Sequence, residues 1–174
     1  MRDASGNVRT GSDDAALLAV AVTGSNPTSP TVTSAGNGTY TASYTPAVAG
    51  PDNIAITLGG TAIQGSPFTS TVSPGAPAAA QTTASVPAET AGTPTTITIT
   101  VRDANGNIRT GTDDSALLSV TVSGFNSATP TVVSAGSGTY TATYTPTLPG
   151  ADLIAITLNG GAIAGSPYAS VVGP

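Results

Sequence analysis

The chain has 174 residues, a formal net charge of −5 and only 7% charged residues, against roughly 25% in an average soluble domain. It contains no Lys, His, Cys or Trp, so disulfides, thiolate chemistry, imidazole bases and soft metal ligands are missing. Its four arginines form two separated pairs rather than the basic patch that nucleic acid requires, and no apolar run approaches the ~20 residues of a membrane helix.

From Met1 onward the elements are met twice. MRDASGNVRTGSDDAALLAVAVTG returns from Val101 as VRDANGNIRTGTDDSALLSVTVSG, GTYTASYTPAVAG returns from Gly138, and IAITLGGTAIQGSPF returns from Ile154. The offset is 100 residues without a gap, and roughly two-thirds of the paired positions are identical. Such self-similarity marks a duplicated module. The organisation predicted is a partial repeat over 1–74 and a complete repeat over 75–174, joined by the Pro/Gly-rich stretch Ser73-Pro-Gly-Ala-Pro77.

In the complete copy the apolar period is two. Strands are predicted near 81–87, 95–102, 116–123, 130–134, 139–145, 152–158 and 168–173. Thr96-Ile-Thr-Ile-Thr-Val101 alternates cleanly and puts Ile97, Ile99 and Val101 on one face. Leu118–Val122, Tyr140–Tyr144 and Ile154–Leu158 follow the same rule, with Thr on outward faces where its branched Cβ suits extended backbone. Asn105-Gly106, Gly136-Ser-Gly138, Pro149-Gly150, Asn159-Gly-Gly161 and Gly165-Ser-Pro167 punctuate them. Seven short strands in about 100 residues predict an immunoglobulin-like sandwich. The fold class is thus all-β: tandem immunoglobulin-like β-sandwiches, the first copy lacking its two N-terminal strands.

Asp103-x-x-Gly-Asn107, Gly138-Thr-Tyr-Thr-Ala-Thr-Tyr-Thr-Pro146, Pro149-Gly150 and Gly165-Ser-Pro-Tyr168, in that order, resemble the filamin-type (actin-binding protein) immunoglobulin-like repeat. Pro74-Gly75 also fits that family's passage between repeats, and the blocks recur at Asp3–Asn7, Gly38–Pro46 and Gly65–Phe68. A weaker likeness to bacterial invasin-type domains lies in the Asp-x-Asn-Gly-Asn stretch. The resemblance implies that partner peptides add a strand at an exposed sheet edge. That edge would comprise Leu117, Ser119, Thr121 and Ser123, with Val132 and Ser134 as the neighbouring strand. The sequence departs from cytoplasmic filamin-type repeats in having one Glu and no Lys.

The residues offer little catalytic chemistry. Asp103-x-Asn105-x-Asn107 has the one-three-five spacing of a calcium loop but lacks the bidentate Glu; the alternative is a turn whose side chains bond nearby N–H groups. Asp13-Asp14 and Asp113-Asp114 are adjacent acids, which in extended chain point to opposite sides rather than across a substrate. No catalytic residue, metal site or cofactor is expected, and the chain is not expected to be an enzyme. Asn37-Gly38-Thr39 is a glycosylation sequon on a tight turn, which makes Asn37 a candidate acceptor under secretion in a eukaryote.

The function expected is structural: a repeat module of an extended fibre, stalk or surface filament, extracellular or on the cell surface. Its expected partners are neighbouring repeats in a homopolymer or tandem array, and glycans, with no nucleic acid and no membrane insertion. The alternative is a cytoplasmic filamin-like scaffold that binds peptides by strand addition. The truncated first copy is expected to be a window on a longer array, the other possibility being a donated segment that supplies its missing strands.

Overall fold

The computed structural model describes residues 1–11 and 13–174. The chain divides into two compact units, Met1–Ser73 and Pro74–Pro174.

The second unit is a complete sandwich. Its strands are β7 (Thr83–Ser85), β8 (Glu89–Thr90), β9 (Thr95–Thr100), β10 (Leu118–Gly124), β11 (Val132–Gly136), β12 (Thr139–Tyr144), β13 (Gly150–Leu158), β14 (Gly161–Ala162) and β15 (Tyr168–Gly173). One sheet runs β10-β13-β15-β8, with β14 paired to β13; the other runs β11-β12-β9-β7. The predicted strand at 81–87 is realised as β7 in one sheet, and beyond its predicted end the chain forms β8 in the other sheet, where β8 pairs in parallel with β15. Pro87 lies between them, and its missing N–H and fixed φ suit a break where the chain leaves one sheet for the other.

The two-residue period builds the core. Ile97, Ile99 and Val101 from the first segments, Val120 and Val122 from β10, Tyr140 from β12 and Ile154 and Ile156 from β13 are all fully or almost fully buried. Each aliphatic side chain so enclosed stabilises the sandwich by about 2 kcal/mol. Gly138 ends the β11–β12 turn with φ +74°, and a Cβ there would lie 2.6 Å from Ile108 Cγ2 and 2.8 Å from the Arg109 carbonyl oxygen. Glycine is required at that position by both backbone and space.

The first unit repeats the later part of this plan. Its strands are β1 (Leu18–Gly24), β2 (Thr33–Gly36), β3 (Thr39–Thr41), β4 (Gly50–Leu58), β5 (Thr61–Ala62) and β6 (Phe68–Val72). β1 and β6 flank β4 with the same register as β10 and β15 around β13. β2 and β3 form a separate two-stranded sheet. Among the described residues this unit has no counterpart of β7, β8 or β9. The consequence is local: β3 spans three residues where β12 spans six, because β12 is held along its length by β9. Tyr40, Tyr44, Ile54 and Ile56 are accordingly only half-buried.

Candidate functional site

The exposed edge of the second unit is built from β10 and the segment that enters it. Asp114 sits almost wholly buried, ion-paired to Arg109 with Nε to Oδ2 at 2.7 Å and Nη2 to Oδ1 at 3.0 Å. That pairing raises the Arg109 guanidinium above its ordinary value. The Asp114 N–H donates to the Tyr140 hydroxyl at 2.7 Å, and that hydroxyl donates to the Thr112 carbonyl at 3.2 Å. Asp113 Oδ1 instead accepts the Ser115 N–H, which lowers its pKa. The acid pair thus starts a short 3-10 turn, Ser115–Leu117, that aims β10 along the sandwich. In the first unit, Arg9, Asp13, Asp14 and Tyr40 repeat this bracket.

β10 is an edge strand. Its burial alternates, with Leu118, Val120 and Val122 inward and Ser119, Thr121 and Ser123 outward. The Val122 N–H donates to the Ala128 carbonyl at 2.8 Å, and the Leu117 carbonyl accepts the Asn159 N–H at 2.9 Å. Because backbone groups alternate sides along an antiparallel ladder, the Val120 N–H and C=O face away from β13 and toward the open edge. Ser119, Thr121 and Ser123 direct their backbone groups to β13. Leu117 belongs to the 3-10 turn rather than to the strand.

Val132 and Ser134 do not neighbour β10 in a ladder. They lie on β11, the edge of the opposite sheet, where they pair with Ala142 and Tyr140. The reason is the crossing from Gly124 to Val132. Asn126 donates its N–H and its Nδ2 to buried Asp152 at 2.8 Å each, and its Oδ1 accepts the Thr147 and Leu148 N–H groups. This clamp turns the chain from one sheet to the other. A groove of about 360 Å³ remains between the two edges, lined by Ala116, Leu118, Val120, Pro130 and Val132 among others.

The Asp103 loop is a turn. Asp103 is almost wholly buried; its Oδ1 accepts the N–H groups of Asn105 and Asn107, and its Oδ2 accepts Asn107 Nδ2 at 2.8 Å and the Gly75 N–H at 2.7 Å. Burial alone would raise its pKa. The bonds from Asn107, Gly75 and Asn105 outweigh it and hold the carboxyl at about 2. Four donors occupy the oxygens that a calcium ion would need. Among the described residues no three acidic, His or Cys side chains gather into a metal site.

Asn37 sits at φ 50° on the exposed β2–β3 turn. The Asn126–Asp152 clamp escaped sequence reasoning, although its signal was present as Asn26 and Asp52 in the first copy, which bond in the same way. Also unforeseen is a buried polar pair. Glu89, the chain's one Glu, and the Tyr144 hydroxyl have no hydrogen-bond partner among the described residues. Burial, and next the Glu89 carboxylate, raise the Tyr144 pKa far above the ordinary phenol range. In the first unit Tyr44 instead donates to Asp52 Oδ2 at 3.2 Å. No helix among the described residues is long and apolar enough to cross a membrane.

Among solved structures, the chain is similar to InvD of Yersinia pseudotuberculosis, at 32% identity and TM-score 0.60, over 99% of this chain and 49% of that one. It is similar to the Escherichia coli adhesin FdeC, at 25% identity and TM-score 0.58, over 99% of this chain and 57% of that one. Invasin, a bacterial integrin-binding protein, shares the fold at 19% identity and TM-score 0.66, over 99% of this chain and 35% of that one. The chain therefore spans between about a third and three-fifths of the length of these structures. No curated protein matches it. The sequence profile of the Filamin/ABP280 repeat matches residues 1–69 and 76–169, and the chain belongs to that family.

Proposed function

We propose that the chain is a structural section of a longer repeat array displayed outside the cell or on its surface. Each repeat would contribute a rigid sandwich, and neighbouring repeats would be its main partners. The observation that carries this reading is the succession of two units of one repeat, roughly two-thirds identical where they pair, similar along 99% of their length to a bacterial adhesin and to InvD. A surface made of Thr, Ser, Gly and Ala with 7% charge agrees with it, as do Filamin/ABP280 repeats being non-catalytic modules. In a eukaryotic secretory route Asn37 would carry the glycan, since its turn is exposed and remote from the core. The test is labelling of intact source cells with an antibody against this chain, before and after surface proteolysis. Labelling that needs no permeabilisation and vanishes with the protease supports the array; labelling only after permeabilisation overturns it.

A second reading is favoured by one observation, the outward-facing backbone of Val120 beside the β10–β11 groove. An extended peptide could pair there, using backbone bonds for affinity and the groove for side chains. Val120→Pro removes the N–H and should abolish capture of such a peptide while Thr121→Ala leaves it intact. Equal capture by both variants, measured with the immobilised chain and a library of extended peptides, would sink this reading.

A further inference from the structure

The connection from β10 to β11 presents hydroxyl groups to solvent on a rigid arm. Between Gly124 and Val132 the chain leaves one sheet for the other and forms no strand. Ala128 is pinned by two backbone bonds to Val122, at 2.8 and 3.2 Å, and Asn126 by its clamp on Asp152. Beyond these anchors comes Thr129-Pro130-Thr131, with Pro130 half-buried and both threonines exposed. A residue before proline is biased to extended backbone, so Thr129 projects from a fixed segment rather than from a loose loop.

The first unit carries the same arm as Ser29-Pro30-Thr31, again with both hydroxyl residues exposed. Around it the copies differ: Phe125, Ser127, Ala128 and Val133 stand where the first copy has Ser25, Pro27, Thr28 and Thr33. The hydroxyl–Pro–Thr triplet is kept, since Thr129 for Ser29 exchanges one hydroxyl for another. A second observation gives the triplet a task. β10 and β11 are both edge strands, yet neither contains a charged residue or a proline. From Ser115 to Ala151 no side chain carries a charge at all. Open edges are ordinarily blunted by charge, proline or a covering group. Thr129, Pro130 and Thr131 line the groove between the two edges, so a bulky polar group on either hydroxyl would stand beside both.

We propose that Thr129 and Thr131, with Ser29 and Thr31 in the first unit, are acceptor sites for O-linked sugar, and that the sugar on the second unit shields the uncharged edges of β10 and β11. Serine and threonine beside proline on a charge-poor chain is the composition of O-glycosylated stalks, and a glycan is bulky, solubilising and confined to the surface. The site is separate from Asn37 and needs no sequon. The transfer is a substitution. The threonine oxygen bonds to the anomeric carbon of a sugar-nucleotide or lipid-phosphate donor, and the bond from that carbon to the donor phosphate breaks. The phosphate leaves with the electron pair, the hydroxyl proton passes to solvent, and nothing is oxidised or reduced. The proposal rests on the reading of the chain as an array outside the cell, and names a modification of it.

The experiment uses the protein isolated from its source cells and cleaved before aspartate, which leaves each triplet in one peptide, Asp14–Pro51 or Asp114–Ala151. Electron-transfer fragmentation in a mass spectrometer should place whole hexose or N-acetylhexosamine increments on Thr129 or Thr131, and on Ser29 or Thr31. Bare peptides, a phosphate increment, or sugar confined to other hydroxyls would each overturn the proposal. The double variant Thr129→Ala, Thr131→Ala, expressed in the same cells, alters only exposed side chains and keeps the fold. By light scattering it should self-associate at about tenfold lower concentration than the parent chain; equal association would overturn the shielding. Surface labelling together with bare peptides would leave the array standing and remove this proposal. Sugar-bearing peptides from a chain that labels only after permeabilisation would keep the acceptor site and remove the array.

Discussion

Asp103 is a buried carboxylate that stays charged because four donors converge on it. With its pKa at about 2 against an ordinary 3.8, the folded state binds the proton less readily than the unfolded chain. Its contribution to stability is therefore complete above pH 3.8 and is lost as the pH falls toward 2. Asp103→Asn keeps the shape but presents a donor where donors already converge. It should lower the stability of the second unit at pH 7 by about 2 kcal/mol and flatten the decline between pH 4 and 2. Urea denaturation across that range checks both effects; an unchanged acid slope in the variant would mean that other carboxyls carry it. The sequence left this site open between a calcium loop and a turn. Spacing alone places three side chains along a strand but does not say where their lone pairs go. The Gly75 N–H, 28 residues away, was invisible to it.

At the scale of the element, the two copies make a controlled comparison. Ile56 and Ile156 are the same residue on the same strand, yet Ile156 is completely buried and Ile56 is only partly so. Truncation costs transfer energy plus the cavity left behind, and an open face can relax where a closed core cannot. Ile156→Ala should cost about 3 kcal/mol and Ile56→Ala about 1 kcal/mol. Residue-resolved hydrogen exchange, read separately on β13 and β4, separates the two losses. Equal losses would mean that the first unit is already closed in solution. The strands themselves were legible because a two-residue apolar period leaves little choice of face, as at Ile97–Val101 and Leu118–Val122. Their sheet membership was not. β10 and β11 are separated by a short connection, and adjacency in sequence suggests a hairpin. The Asn126–Asp152 clamp instead carries the chain across to the opposite sheet.

Across the whole molecule, duplication acts as a record of which residues the fold demands. Apart from Met1 in the place of Val101, the core positions that both copies contain, Asn26 and Asn126, Asp52 and Asp152, and the Arg–Asp–Tyr bracket are the same in both copies, whereas several outward positions differ. On the outer face of the β10-β13-β15 sheet, Leu153 and Val171 stand exposed where the first copy has Asn53 and Thr71, as does Phe125 at the end of β10 in place of Ser25. This is the pattern of repeats whose sandwiches are held constant while their surfaces diverge. The single Glu89 was unremarkable in the sequence and became notable only when β8 carried it into the interior beside Tyr144.

The sequence by itself determined the repeat, the all-β class and the inward faces of the strands, since these depend on periodicity and identity within the chain. Only the tertiary structure decided that a short strand, β8, follows the predicted first strand in the opposite sheet, that β10 and β11 are edges of opposite sheets, and which carboxylates are saturated by backbone donors. Those outcomes depend on groups brought together from 20 or more residues apart, where hydrogen-bond geometry rather than local pattern selects the partner.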